Sequence, residues 1–526
     1  MLRKVKNLSI DFKEFLLTLS SAALLILAFP NFQISALAWL ALIPVLSVTL
    51  NSSARKSFFL SYITGAFFFG GVLYWLTYVT KLGYFILVLY LALFFGLFGL
   101  FANIFFRKFE NSRLSFLLCL ALPSLWVLLE FLRGALFSGF PWCILGYTQY
   151  KNPLLIQISD ITGPYGVSFL IVMVNVVIGT VVIGTVLGSK SDSSGTVPIL
   201  HRTVPILQVL ILAIALFLTF GYGYLCLKDK DIDADIRLSV VQGNIEQFKK
   251  WNPSYKNYIL ERYDTLTGEV AKDKADLIIW PETAIPGFVD DDEIRVYLKE
   301  VAEANEAPLF AGAITYTSGA EKDYFFNSAV LFTPNGSIYK KYDKIHLVPF
   351  GEYIPLEAHI PFFRNSINTE IGDCTAGKEF TTFDITSKGG DSYKYAALIC
   401  FEDIFPDLAR GFAREGADFL INITNDAWFK ESSEQLQHAQ ASVFRAVENR
   451  VAVVRAANNG FSCYITPDGI IEDWVRNRDS GSIYDPGFKT FELKVKRGGT
   501  FYTAYGDIFV GICLLLIGCY FMVKKA

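Results

Sequence analysis

The chain has 526 residues, of which 52% are hydrophobic, 15% aromatic and 18% charged, with a formal net charge of −3. A mean hydropathy of +0.38 excludes a wholly soluble protein, and the absence of any basic tract excludes a nucleic-acid or other polyanion partner. The charges are segregated, for apolar stretches dominate Phe15 to Cys226, Lys228 to Lys496 reads as a soluble domain, and a last apolar run ends in Lys524 and Lys525.

A membrane span takes roughly 20 mostly apolar residues, because each adds about 1.5 Å of rise across about 30 Å of hydrocarbon. Eight segments qualify, centred near Leu24, Leu42, Phe68, Leu93, Leu122, Val176, Leu212 and Leu515. Their middles lack charges, each of which would cost about 3 kcal/mol there. The first span follows a basic start (Arg3, Lys4, Lys6) but has no small-residue cleavage site, so it reads as a retained helix rather than a signal peptide. With eight spans, the basic start, Arg55–Lys56, Arg107–Lys108–Arg113, Lys190/Arg202 and the C-terminal lysines share one side. The positive-inside rule makes that side cytoplasmic, with both termini, and puts the polar domain outside it. The expected division is a seven-helix membrane domain over 1–226, an extracytoplasmic α/β domain over 227–500, and an eighth helix with a short tail over 501–526.

In chain order, the long outer loop after the fifth span carries Gly139-Phe-Pro-Trp-Cys143 and Gly146-Tyr-Thr-Gln149. Its aromatics read as interfacial anchors or, more sharply, as a wall where lipid gains access. The stretch Gly188 to Gly195 is a flexible polar loop. Within the polar domain, Ile236–Val241, Asp276–Trp280, Leu309–Ile314, Ser328–Phe332, Tyr395–Ile399, Phe419–Ile423, Val451–Arg455 and Ser462–Ile465 read as strands. Pro334-Asn-Gly336 and Pro467-Asp-Gly469 are hairpin turns. Tyr255–Ala271, Glu293–Ala304, Asp407–Glu415 and Glu434–Arg450 read as helices, and the alternation predicts an α/β layer architecture.

Three strand ends carry conspicuous polar residues: Ile278-Ile-Trp-Pro-Glu282, Lys340-Lys-Tyr-Asp-Lys344 running into Ile345-His-Leu-Val-Pro-Phe-Gly-Glu-Tyr-Ile-Pro355, and Ala396-Ala-Leu-Ile-Cys-Phe-Glu-Asp403. Loops beyond strand ends commonly hold active sites in α/β folds. Singly, each has a plainer explanation: Cys400 as a small buried hydrophobe, Glu282 as a loop cap, Lys344 as a solvated face. Of eight cysteines, Cys119, Cys143, Cys226, Cys513 and Cys519 lie in or near spans, leaving Cys374, Cys400 and Cys463 in the polar domain. An odd number leaves one thiol unpaired within the chain.

The order Trp-Pro-Glu, Lys with His-Leu-Val-Pro-Phe-Gly-Glu, then Ile-Cys-Phe-Glu resembles the nitrilase superfamily, and most closely its membrane-bound apolipoprotein N-acyltransferase branch. The likeness extends to Phe140-Pro-Trp142, Val241-Gln-Gly-Asn244, Asn425-Asp-Ala-Trp-Phe429, Arg445-Ala-Val-Glu448 and Asn458-Asn-Gly460. It implies an α-β-β-α sandwich beside the helical bundle, with Cys400 as nucleophile, Glu282 as general base and Lys344 as the cation that stabilises an oxyanion. Glu352 matches a second glutamate, Glu402 and Trp428 match residues near the nucleophile, and Trp251 matches a mobile-loop tryptophan of substrate access. Phe401 stands where some relatives have Tyr, and Lys430 where Gly is expected after Trp-Phe.

The implied reaction moves an acyl chain from a membrane phospholipid, through a thioester, to the α-amine of a lipoprotein's diacylglyceryl-cysteine. The alternative is a membrane-tethered amidase or nitrile hydrolase that uses water. Neither a cofactor nor a metal is expected, since the four histidines show no ligand spacing. His346 and His438 read as structural rather than catalytic. Span centres without ionisable residues argue against a transporter, and Glu282, Lys344 and Cys400 together argue against a silent scaffold.

Overall fold

In the computed structural model the chain divides into two units, one of residues 1–228, 432–440 and 505–526, the other of residues 229–431 and 441–504. The structure describes residues 10–109, 113–188, 199–228, 236–289, 291–319, 323–335, 337–353, 374–477, 479–495 and 498–522. Arg3, Lys4, Lys6, Lys190, Gly195, Gly336, Pro355, Lys524 and Lys525 lie outside them.

The first unit is helical because its sequence is apolar over whole turns. Among the described residues, Lys81–Lys108, Leu114–Ala135 and Ile206–Leu227 are long and apolar enough to cross a membrane. Pro153–Thr162 with Tyr165–Thr180, bent by 119°, forms a further candidate, and Ser35–Thr49 and Ile508–Met522 are shorter apolar helices. Phe12–Ala28 opens on a capping box in which the Asp11 carboxylate accepts the Glu14 N–H and Glu14 accepts that of Asp11. Buried asparagines satisfy the backbone where regular helix stops: Asn175 donates to Ala38 O at 2.9 Å and accepts the Leu42 N–H at 2.8 Å. Trp142 is buried and donates to Gln437 Oε1 at 2.9 Å, while Arg133 holds the same loop through Phe140 O at 3.1 Å. An exposed interfacial anchor is therefore not the role of Trp142.

The second unit is an α/β domain with two six-stranded sheets. Its strands are β1 (Ile236–Gln242), β2 (Leu277–Trp280), β3 (Leu309–Ser318), β4 (Asp323–Phe332), β5 (Ile338–Asp343), β6 (Thr382–Thr386), β7 (Ser392–Ile399), β8 (Phe419–Thr424), β9 (Ala452–Ala457), β10 (Cys463–Ile465), β11 (Ile471–Trp474) and β12 (Gly487–Leu493). The sheet orders are β12-β1-β2-β3-β4-β5 and β11-β10-β9-β8-β7-β6. At the centre of each, β1-β2-β3 and β7-β8-β9 run parallel. Parallel strands are covered on both faces and read as unbroken apolar runs, as β8 does with every residue buried. Helices Lys256–Val270 and Asp292–Ala304 add Ile259, Tyr263, Leu298 and Val301 to the core with Trp280. Trp280 stacks on Tyr263 at 4.7 Å and donates to Thr267 Oγ1 at 3.0 Å.

The eight strands read from sequence all form, with ends moved by a few residues. β5, β6, β11 and β12 were not legible. β5 shows why: half of Ile338-Tyr-Lys-Lys-Tyr-Asp343 is exposed on an edge, so its pattern is not apolar.

Candidate active site

β2 ends at Trp280, and the chain then turns through Pro281, Glu282 and Thr283, the last with φ +46°. This turn packs on β3 at Gly312, where an added Cβ would lie 2.5 Å from Glu282 Cα and from Pro281 O. Gly312 N–H donates to Pro281 O at 3.2 Å, and Ala284 N–H donates back to Gly312 O at 3.0 Å. A glycine is required there by space, and it fixes where the Glu282 carboxylate begins.

Lys344 follows β5, its N–H donating to Asn327 O at 2.8 Å. Its side chain is 1% exposed, and its ammonium lies 3.0 Å from Glu352 Oε1 and 3.6 Å from Glu282 Oε1. Asn327, inside β4, joins the two carboxylates by donating from Nδ2 to Glu282 at 2.8 Å and to Glu352 at 2.7 Å. Glu352 is further fixed by the Val348 N–H at 2.8 Å. Burial alone would lower the Lys344 ammonium, but Glu352 and Glu282 more than reverse this and raise it well above the lysine range.

Cys400 directly follows β7 and opens the short turn Cys400–Ile404. Its φ of +52° is the left-handed conformation, costly for a side chain with a Cβ. Asn422 Nδ2 donates to Cys400 O at 3.0 Å, supporting the sharp exit from the sheet. Cys400 is half-buried and forms no disulfide. Burial, then the Glu282 carboxylate, push it well above the ordinary thiol range, while Lys344 pulls it down. The structure thus brings Cys400 within electrostatic reach of both Glu282 and Lys344.

Glu402 is fully buried behind this turn. Its Oε1 accepts the Ile345 N–H at 2.8 Å, the His346 N–H at 3.0 Å and the Tyr342 O–H at 2.8 Å, and its Oε2 accepts the Ile399 N–H at 2.7 Å. One carboxyl thereby ties the residues after Lys344 to the residue before Cys400. Burial raises it to about 7, against the pull of Lys344 and the two backbone donors His346 and Ile399.

The remaining motifs converge by hydrogen bonding. Asn458 Nδ2 donates to Ile245 O at 2.7 Å and Asn425 Oδ1 at 2.9 Å, and Asn425 Nδ2 donates to Gln247 Oε1 at 2.7 Å. The loops bearing Trp251 and Trp428 are joined this way. Trp251 is 37% exposed and Trp428 half-buried. Arg445 Nε donates to Glu448 at 2.7 Å as a buried pair. Lys430 adopts φ +53°, the conformation that glycine would take, so the departure keeps the turn. Phe401 meets Phe405 edge-on at 5.0 Å, and His346 stacks on Phe405 at 3.8 Å.

Comparison with known proteins fits this geometry. Residues 21–177 match the apolipoprotein N-acyltransferase N-terminal domain and residues 237–474 the carbon-nitrogen hydrolase domain. The apolipoprotein N-acyltransferase of Geobacter metallireducens is 36% identical over 95% of this chain and 93% of its own length. The chain belongs to the apolipoprotein N-acyltransferase family. Another apolipoprotein N-acyltransferase, from Methylococcus capsulatus, is 31% identical over 98% of this chain and 97% of its own. A solved amidase from Nesterenkonia sp. is 18% identical, covering 51% of this chain and 93% of its own at a TM-score of 0.36. Membership in the apolipoprotein N-acyltransferase family makes the chain an acyltransferase with a nitrilase-like α/β domain.

Two site residues escaped the sequence reading. Asn327 sits in Phe-Phe-Asn-Ser-Ala-Val, where a polar pair inside an apolar strand was the available signal. Lys250 is the buried member of Lys249-Lys250, a pair whose composition reads as solvated.

Proposed function

We propose that Cys400 carries an acyl group from a membrane phospholipid to the α-amine of a lipoprotein's diacylglyceryl-cysteine. The observation that supports this most is the placement of one ammonium, Lys344, 3.6 Å from Glu282 and in electrostatic reach of Cys400. A thiol held high by burial is not a resident thiolate, so its proton leaves as attack occurs. Glu282 takes that proton while sulfur attacks the ester carbonyl. Lys344 and the Phe401 N–H stabilise the resulting oxyanion, a role worth about 3–4 kcal/mol for a single donor in other enzymes. Collapse expels the lysophospholipid alkoxide, which recovers the proton from Glu282 and leaves the thioester. The acceptor amine then attacks the thioester, Glu282 takes its proton, and the Cys400 thiolate leaves and is reprotonated. Ester and amine become amide and alcohol, with ping-pong kinetics.

Glu352 holds Lys344, Glu402 holds the nucleophile turn, and Trp251 and Trp428 border substrate access. The full reading keeps eight spans, the division 1–226, 227–500 and 501–526, cytoplasmic termini and a periplasmic catalytic domain. A lipid donor that stays in the bilayer is the reason for that frame.

Intact-protein mass analysis tests this after incubation with acyl-labelled phospholipid. One acyl mass should appear on the wild type, be absent from Cys400→Ala, and move to an added diacylglyceryl lipopeptide as an amide. Release of free fatty acid without N-acylation would instead establish the membrane-tethered hydrolase.

A further inference from the structure

Glu282 and Glu352 face Lys344 as two carboxylates against one ammonium. The trio is net negative, and a thiolate or oxyanion formed beside it adds charge of the same sign. An uncompensated charge of this kind is expensive where water is excluded. A second buried cation meets the main chain of Glu282. Lys250 closes the short helix Gln247–Lys250 and is buried, while its neighbour Lys249 turns outward to pair with Glu246 at 2.6 Å. Lys250 Nζ donates to Glu282 O at 2.9 Å and to Thr283 Oγ1 at 3.3 Å. It grips the turn by its main chain and leaves the Glu282 carboxylate to Asn327 and Lys344.

We propose that Lys250 is the second cation of this centre, a positioning residue that fixes the Glu282 turn and whose charge favours the anionic states of Glu282 and Cys400. This rests on the thioester reading above. The next residue is the half-exposed Trp251, so any substrate that moves Trp251 also pulls on the residue gripping the Glu282 turn.

A plain brace would act the same whether charged or neutral, because an amine also donates hydrogen bonds. Burial lowers Lys250 to about 7, with Glu282 and Cys400 holding it up. Its charge is therefore present below about pH 7 and lost above it. The groups facing it are Glu282 and Cys400, and its own helix adds Lys249 beside Glu246. Glu402 titrates in the same window but is common to wild type and variants, so it cancels in a ratio of rates.

The experiment measures single-turnover acylation of Cys400 in the full chain, with diacyl phosphatidylethanolamine in mixed micelles, from pH 6 to 8.5. The ratio of wild type to Lys250→Met should be about tenfold or more at pH 6 and shrink several-fold by pH 8.5, where the neutral amine keeps its hydrogen bonds but its charge is lost. Lys250→Arg stays charged throughout and should lose less rate than the wild type between pH 6 and 8.5, exceeding it at pH 8.5. A ratio to Lys250→Met that is constant with pH, or a Lys250→Arg profile that tracks the wild type, overturns the proposal. Should Lys250→Met not fold, the arginine variant decides alone. A wild type that takes up no acyl mass at any pH removes the thioester reading itself, and this inference with it.

Discussion

Asn327 donates from Nδ2 to Glu282 Oε1 at 2.8 Å, and the same nitrogen reaches Glu352 Oε1 at 2.7 Å. One amide thus bridges two carboxylates that share the single ammonium of Lys344. Asn327→Leu removes the donor and leaves both acceptors short, at a cost of about 1–3 kcal/mol for each buried group. Asn327→Asp is worse, since a third carboxylate joins the pair. Acylation of Cys400 should fall about tenfold or more in the leucine variant and further in the aspartate one. Rates within twofold of wild type in both would refute the clamp.

Gly312→Ala tests the same turn through space alone. The new methyl would meet Glu282 Cα and Pro281 O at 2.5 Å, both backbone atoms that cannot swing aside. Either β3 or the turn must shift, and overpacking of this kind costs typically about 1–3 kcal/mol. The expected outcome is a lower melting temperature together with a loss of acylation larger than the stability change explains. Unchanged acylation would mean that the turn relaxes without carrying Glu282 with it.

How far the sequence discloses this site follows from what each residue does. Glu282 and Cys400 follow apolar strands, and a polar group at such a break is visible in one dimension, whereas Lys344 follows the half-exposed β5 and is marked by its motif. Motif order then selects them together, although periodicity cannot place them side by side. Asn327 and Lys250 are hidden for the opposite reason: their importance lies in partners brought by other segments, and the polar pair Asn327-Ser328 is a local signal that does not say what it meets. The same logic holds for the fold. The central parallel strands are apolar throughout and stand out, whereas β5 and β6 are half-exposed edges that resemble loops in composition.

Cys400 holds φ +52°, so the nucleophile's backbone is strained independently of its chemistry. Glycine adopts this conformation freely, whereas any residue with a Cβ gives up on the order of 1 kcal/mol. Cys400→Gly should therefore be as stable as Cys400→Ala or more so, by up to about 1 kcal/mol, although glycine usually loses to alanine elsewhere. Paired denaturation curves for the two inactive variants decide it. A glycine variant clearly less stable than the alanine one would show that the turn is relaxed.

The charges around the thiol predict opposite shifts in its titration. Glu282 raises Cys400 by like-charge repulsion, and Lys344 lowers it. Thiolate absorbance near 240 nm should therefore appear at lower pH in Glu282→Gln than in wild type, and at higher pH in Lys344→Met. The first variant separates two properties, since it gains thiolate yet loses the base and with it acyl transfer. A thiol that titrates identically in all three proteins would place these side chains too far from sulfur to act.

Glu402→Gln alters a single atom pair in the carboxyl that joins Ile345 and His346 to Ile399. Whichever way the new amide turns, its NH2 faces a backbone N–H, so at least one buried donor pair is left unmet. The expected cost is about 1–3 kcal/mol. Its pH dependence has a definite sign. Burial raises the folded carboxyl from its ordinary 4.5 to about 7, so between those values the folded state keeps a proton that the unfolded state has released. Wild-type stability from this group therefore falls as pH rises through that window, while glutamine contributes no such term. The gap in stability between wild type and Glu402→Gln should be widest near pH 4.5 and narrower above pH 7. Melting curves at both ends measure it, and a gap that widens with pH would show that the hydrogen bonds to Glu402 outweigh its burial.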